Sequence, residues 1–187
     1  MQVYFDLIKK YHDDISEEKL ITYHNLFDIY KKINFQINLI SRKDFENFYL
    51  HHILHSLSIL KFKLLPEKDS KIIDLGTGGG IPGIPLSIFY EKNNFILIDS
   101  IRKKITAVDE IIKEINLKNV KTINNRIENL ELNADIIICR SVSSIKNILN
   151  WSKKSLKKDG KIILFKGGDV EKELININKR FTIYNID

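Results

Sequence analysis

The residues with the most chemical potential lie in one stretch, Asp74-Leu75-Gly76-Thr77-Gly78-Gly79-Gly80-Ile81-Pro82-Gly83-Ile84-Pro85-Leu86. Ile72, Ile73 and Leu75 read as a buried strand that stops at a run of glycines. Glycine turns tightly, adopts positive φ and lets a ligand lie against the backbone. Pro82 and Pro85 stand where a helix can begin, because a first-turn proline gives up an N–H that has no helical partner. Strand, glycine turn and helix make the nucleotide cradle of doubly wound sheets, with the ligand at the carboxyl end of the strand. Two phases fit. From Gly78 the stretch satisfies G-x-G-x-x-G, the dinucleotide fingerprint. From Asp74 it reads D-x-G-x-G-x-G, with Gly76, Gly78 and Gly80 as its glycines, and this phase accounts for more. A carboxylate at the strand end accepts a hydrogen bond from a ligand ammonium, directly or through water, whereas it would repel a pyrophosphate. S-adenosylmethionine, with its amino-acid end and sulfonium, suits that carboxylate better than NAD does.

Further candidates fall at the ends of later apolar runs. Asp99 closes 95–98 and is placed to take ribose hydroxyls; alone, it would equally cap a helix starting at Ser100 or Ile101. Arg126-Ile127-Glu128 follows a third strand, where backbone and side chain could grip an adenine, and a solvated Arg–Glu pair fits the same residues. Arg140 directly follows 134–139, and a guanidinium at a crevice clamps a carboxylate or phosphate at two points. Lys166, before Gly167-Gly168, is either a contact for RNA phosphate or an exposed strand end. Ser141, Ser143 and Ser144 have no histidine and acid at a recognisable spacing, so they read as loop and cap residues. His51, His52 and His55 invite a metal reading, but a structural zinc takes four ligands and nothing here completes the set. No metal is expected.

These residues need a scaffold, and the apolar pattern supplies one. Leu20, Tyr23, Phe27, Tyr30 and Ile33 recur at helical spacing behind the start signal Ser16-Glu17-Glu18. After the break 38–43, a second helix capped by Asp44 would bury Phe45, Phe48, Ile53, Leu57 and Leu60, with Pro66 beyond its end. The basic and aromatic residues of this region (Lys31, Lys32, Arg42, Lys43, Tyr49) suit RNA contact or a solvated face equally well. Past the polar linker 67–70 the pattern alternates. Strands are expected at 71–75, 95–99, 120–123, 134–139, 161–166 and 181–184, and helices at 101–115, 145–156 and 170–179. Continuous apolar strands separated by helices imply a mostly parallel, doubly wound α/β sheet covered on both faces. Residues 1–66 form an N-terminal helical extension and 67–187 the Rossmann-like unit.

The chain has 187 residues, 43% hydrophobic and 29% charged, values that suit a soluble globular protein with a full core. Its formal net charge of +6 admits polyanions as partners. A single cysteine, Cys139, excludes an intrachain disulfide and fits a reducing compartment. The sequence opens with no signal peptide, and no apolar run approaches the ~20 residues that cross a bilayer. A cytoplasmic protein is expected.

Together these residues resemble the bacterial small-subunit (16S) ribosomal RNA guanine-N7 methyltransferases, once named glucose-inhibited division protein B. The resemblance covers nearly the whole chain. It is most specific at 74–86, whose Pro-Gly-Ile-Pro ending is unusual among methyltransferases. Asp99-Ser100, Arg126-Ile127-Glu128, Arg140-Ser141 and Phe165-Lys166-Gly167 fall in the family's order, as do Ile37-Asn38-Leu39 and His52-Ile53-Leu54 upstream. The resemblance implies a class I S-adenosylmethionine-dependent fold, cofactor contacts at Gly76, Ile81, Ile127, Glu128 and Arg140, and small-subunit ribosomal RNA, or the small ribosomal subunit, as partner; a monomer is expected. It implies no general base, because guanine N7 carries a free lone pair and no proton. Arg140 and Lys166 are left as substrate-positioning candidates. Two departures stand out. The family usually has Arg at the position of His51 and Asp at that of His55, so both members of an i,i+4 pair are exchanged together. The family also continues into one more strand beyond 181–184, without which the sheet's far edge is bare. Other readings remain open at this point: a methyltransferase with a protein or small-molecule acceptor, an NAD-dependent oxidoreductase, and a non-catalytic RNA-binding ribosome-assembly protein.

Overall fold

The computed structural model describes residues 2–12, 15–175 and 177–186. Two helices, α1 (Gln2–Tyr11) and α2 (Glu17–Gln36), come first. Ser16 caps α2 by accepting from the Lys19 N–H at 3.4 Å, with Glu17 and Glu18 in the first turn, where the helix dipole favours acid. Next comes an irregular helical run containing α3 (His55–Leu57), and then a sheet of five strands. The strands are β1 (Lys71–Leu75), β2 (Asn94–Asp99), β3 (Val120–Asn124), β4 (Ala134–Arg140) and β5 (Leu156–Phe165). Helices α4 (Gly83–Phe89), α5 (Arg102–Glu114), α6 (Ile145–Ser152) and α7 (Val170–Leu174) complete the fold.

All strand pairs are parallel and the order is β3-β2-β1-β4-β5. The chain therefore winds outward from β1 to β3 and then reverses to β4, which opens a crevice between the carboxyl ends of β1 and β4. Side chains alternate across the sheet. Ile72, Leu97 and Ile138 face a core shared with α2, α4 and α5, while Ile73, Ile98 and Ile137 face a second core that holds Ile148 of α6. Because the first core runs without interruption into Tyr23, Tyr30, Phe48 and Leu57, the N-terminal helices share the sheet's hydrophobic interior.

The expected elements differ from the observed ones in three places. A single helix capped by Asp44 does not form. Instead Arg42–Asn47 and Ser58–Phe62 are 3-10 turns and Phe48–Leu54 is a π-helix. The wider π turn brings Phe48, Tyr49, His52, Ile53 and Leu54 all to the buried side, against Phe27 and Tyr30 at ring separations of 5.1–5.8 Å. The Asp44 carboxylate goes to histidines rather than to the helix start. Helices α6 and α7 are shorter than expected. Leu156 leaves α6 to pair with Ala134 as the first residue of β5. Finally, 181–184 forms no strand. After the five-residue α7 the chain crosses toward the helical extension, where the Tyr184 ring meets Phe62 at 4.7 Å, so β5 is an edge of the sheet among the described residues.

Candidate active site

The glycine loop is held from both sides. The Thr77 N–H donates to the Ile98 carbonyl at 2.9 Å, which anchors the loop to β2. Asp74 is fully buried beneath it, and its Oδ2 accepts from the Thr77 hydroxyl at 2.6 Å and the Gly83 N–H at 2.9 Å. A Cβ at Gly83 would stand 2.6 Å from that same oxygen, so close approach of α4 to β1 requires glycine here. Gly76, Gly78 and Gly80 all have positive φ. A Cβ at Gly76 would strike Val142, and one at Gly80 would strike Ile84, but at Gly78 it would enter open space, with only the Gly76 carbonyl oxygen near, at 3.9 Å. The backbone at Gly78 is therefore bare toward the crevice.

Asp74 Oδ1 is buried with no hydrogen-bond partner in the protein. Burial pushes the carboxyl up to about 6, against the lowering effect of its Thr77 and Gly83 bonds and of Arg140. An orphaned carboxylate oxygen at this depth calls for a donor or a cation.

Asp99 ends β2 under the loop. Its Oδ2 accepts from the Gly78 N–H at 3.0 Å and its Oδ1 from the Ile101 N–H at 2.8 Å. The residue therefore both turns the chain toward α5 and supports the glycine loop. Arg140 ends β4 across the crevice. It donates through Nη1 to the His51 carbonyl (3.1 Å), and its Nη2 lies 3.2 Å from His52 Nδ1. Burial lowers the Arg140 pKa and the Asp74 charge raises it. His52 falls to about 4, first through burial and then through the Arg140 charge, so it stands neutral at pH 7. With Nδ1 accepting from the guanidinium, the proton sits on Nε2. That atom lies 3.1 Å from Asp44 Oδ2, and the Asp44 carboxylate works against the lowering of the His52 pKa. Asp44 Oδ1 meets His51 Nδ1 at 2.6 Å. His51 and His55 are not partners of each other; the His55 ring packs 5.2 Å from Phe165.

The crevice encloses about 990 Å³. Gly76, Gly78, Ile81 and Arg140 line it from the sheet, and Ser41, Asp44, His51, His52 and His55 line it from the helical extension. Asp74 and Asp99 lie behind the loop. Ile127 and Glu128 stand apart from this cavity: Ile127 is buried in the second core, and Glu128 faces Arg126 at 3.8 Å. Lys166 also lies outside it, paired with Glu173 at 2.6 Å. Cys139 is buried and its thiol is pushed up to about 12, so it is no nucleophile. Of the basic and aromatic candidates in the extension, Tyr49 is buried and donates to the His24 carbonyl (3.0 Å), and Lys32 pairs with Glu114 at 2.7 Å. No group of His, Cys, Asp and Glu among the described residues is placed to hold a metal ion.

Several functional contacts carry no sequence signal. Tyr30 donates to the Gly79 carbonyl at 2.7 Å and Tyr23 to the Pro85 carbonyl at 2.8 Å, so α2 is tied directly to the loop and to α4. Asn34 clasps the 39–40 backbone through both amide atoms, which seats Leu39 against Gly79. Spacing marks Tyr23 and Tyr30 as core residues but is blind to where their hydroxyls point.

A parallel sheet ordered 3-2-1-4-5, with a glycine cradle at the reversal and an acid closing β2, is the Rossmann-like architecture of class I methyltransferases. Solved structures agree on the fold. Coclaurine N-methyltransferase, bound to N-methylheliamine and SAH, is similar at a TM-score of 0.52 and 17% identity, over 59% of this chain and 33% of that one. The YcgJ protein from Bacillus subtilis is similar at 0.50 and 22%, over 59% and 50%. Sequence carries the assignment further. The family described as rRNA small subunit methyltransferase G (GidB) matches residues 16–186. The Ribosomal RNA small subunit methyltransferase G of Christiangramia forsetii is 41% identical over 175 residues, covering 90% of this chain and 82% of that protein. That of Phocaeicola vulgatus is 37% identical over 188 residues, covering 97% and 89%. The chain belongs to the rRNA small subunit methyltransferase G family.

Proposed function

We propose that the protein methylates N7 of a specific guanine in small-subunit (16S) ribosomal RNA, with S-adenosyl-L-methionine as methyl donor. The observation that supports this most is the partnerless Asp74 Oδ1, buried behind the bare Gly78 backbone at the rim of the crevice that Gly78 and Arg140 line. An ammonium satisfies the orphaned oxygen, and a carboxylate satisfies the guanidinium. An amino-acid end carries both groups. When bound, the cofactor supplies a methyl group on a sulfonium. Asp74, Gly76, Gly78, Gly80, Ile81 and Arg140 would hold its amino-acid end, and its nucleoside end would extend past the crevice along the carboxyl ends of β2 and β3 to Asp99, Ile127 and Glu128.

Because guanine N7 has no proton to lose, the protein needs no base. Its work is to orient the ring and exclude water, and orientation of this kind is worth ~7–11 kcal/mol of barrier. The neutral His52 and the paired Asp44–His51 wall suit that role, offering polar edges to a base. In this reading residues 1–66 form the reader of the RNA and 67–187 the donor-binding unit, working as a monomer in the cytoplasm where the subunits are. The target must be an unstacked loop or junction nucleotide, since a helix interior hides its major-groove edge.

Asp74→Ala and Arg140→Ala, titrated calorimetrically with S-adenosylmethionine, test the donor assignment. Both should lose at least tenfold in affinity while remaining folded. Wild-type affinity in both variants would refute it.

A further inference from the structure

A second cavity, of about 470 Å³, opens at the opposite end of the sheet, where β4 and β5 begin. One wall is residues 63–66, the link from the helical extension to β1, and the other is formed by residues 135–136 and 157–161. Its charge is uneven. Lys63, Lys157, Lys158 and Lys161 stand against Asp135 and Asp159, four positive to two negative. Asp135 is already committed, accepting from Lys157 Nζ at 2.6 Å and from the Lys71 N–H at 2.9 Å. Lys63, Lys158 and Lys161 are exposed and have no partner among the described residues.

The backbone around these lysines is specially shaped. Ala134 lies opposite Leu156, yet Ile136 lies opposite Lys161, so residues 157–160 bulge out of the ladder. Bulges re-aim side chains and cluster at functional edges. Gly160 holds this one tightly to β4, since a Cβ there would stand 2.7 Å from Leu156 and 3.1 Å from the Asp135 carbonyl oxygen. Lys63 has φ +49, a left-handed conformation uncommon for lysine, fixed by its N–H to the Leu60 carbonyl at 3.0 Å.

The two cavities are continuous along the chain. Lys61 and Phe62 line the first, and Lys63 begins the wall of the second. At ~3.3 Å per strand residue, the length of β1 separates them by roughly 15 Å, a distance along which a nucleic-acid strand carries about four phosphates.

We infer that Lys63, Lys158 and Lys161 cradle the phosphodiester backbone of RNA that flanks the nucleotide held in the crevice. The inference rests on the rRNA-methylating reading above and adds a second, remote contact to it. Lysine suits phosphate as a mobile point charge. The concave shape fits a strand and not a flat anionic membrane, and of the apolar residues in its wall Leu65 is buried and Leu64 half-buried. The site thus supplies affinity and register without reading sequence.

The test uses the full chain. Lys63→Ala/Lys158→Ala/Lys161→Ala is compared with Lys113→Ala/Lys118→Ala/Lys121→Ala, which removes the same charge from the far side of the sheet, and with the single charge reversal Lys161→Glu. Binding to naked small-subunit rRNA and to unmethylated small subunits is measured from 50 to 300 mM KCl, beside binding to anionic phosphatidylglycerol vesicles. The cavity triple variant should lose about 10- to 100-fold in RNA affinity at 100 mM salt. Its plot of log K against log salt should flatten by about 2–3. Its S-adenosylmethionine affinity should be unchanged, the far-side variant should stay within twofold of wild type, and Lys161→Glu should fall between them. Wild-type affinity and slope in the cavity variants, an equal loss in the far-side variant, or a loss confined to vesicles would each overturn the inference. If wild type methylates the RNA and the cavity variants bind it normally, the cradle alone fails. If wild type neither binds nor methylates it, the underlying reading fails as well.

Discussion

Asp74 is at once tightly held and incompletely satisfied. One oxygen is spent on Thr77 and Gly83, and the other meets nothing in the protein. Its pKa of about 6, above the ordinary 3.8, means that the folded protein holds a proton that the unfolded chain has released. Its effect is full stability below pH 4, lost progressively as pH rises toward and through 6, with a total near 3 kcal/mol at 1.36 kcal/mol per unit. The folded-state pKa of His52, about 4, has the opposite sign, so its contribution is lost as pH falls through the window between 6.5 and 4. The difference between wild type and Asp74→Asn therefore isolates the carboxylate. Urea unfolding should show the variant gaining about 2 kcal/mol relative to wild type between pH 4.5 and 7.5. A constant difference would mean that Asp74 is ionised throughout. Adding a cationic ligand group should return the pKa toward its ordinary value, so cofactor affinity should strengthen as pH rises through 6.

Among the elements, α2 and the glycine loop behave as one unit, because Tyr30 supplies the donor for Gly79. Tyr30→Phe leaves that buried carbonyl unpaired, at a cost of about 1–3 kcal/mol. Gly78→Ala should cost only about 1–2 kcal/mol of backbone strain, since its Cβ meets open space. The functional order should be reversed. Gly78→Ala places a methyl group where the cofactor must touch the backbone and should abolish its binding, whereas Tyr30→Phe should weaken it modestly. Thermal melts with and without S-adenosylmethionine separate the two, and a ligand-induced rise in Gly78→Ala equal to wild type would contradict the assignment.

These elements also show where sequence is informative. The loop, Asp99 and Arg140 are legible because strand ends and glycines are local signals, and parallel topology brings those ends together. The irregular run at 42–62 is not legible. Its winding is set by aromatic packing of Phe48 and Tyr49 on Phe27, a tertiary demand that overrides helical spacing. Residues 181–184 have strand composition, but a strand exists only with a neighbour to pair with, and here Tyr184 meets Phe62 instead. Nor does spacing reveal that the Lys166 ammonium is taken up by Glu173.

At the scale of the molecule, the helical extension and the sheet build the crevice together, one giving the histidine–Asp44 wall and the other the glycine floor and Arg140. In the proposed reading, donor and acceptor meet where the two packing layers join. The net charge of +6 favours a polyanionic acceptor and makes its binding salt-dependent. Methyl transfer from radiolabelled S-adenosylmethionine to small ribosomal subunits, taken from cells lacking this gene, tests the whole account most directly. Naked rRNA is run alongside, and N7-methylguanine is mapped by reduction and strand cleavage. The account predicts label at one guanine of the small-subunit rRNA, abolished by Asp74→Ala. Cofactor binding without any label on either RNA form, or label spread over many guanines, would contradict it.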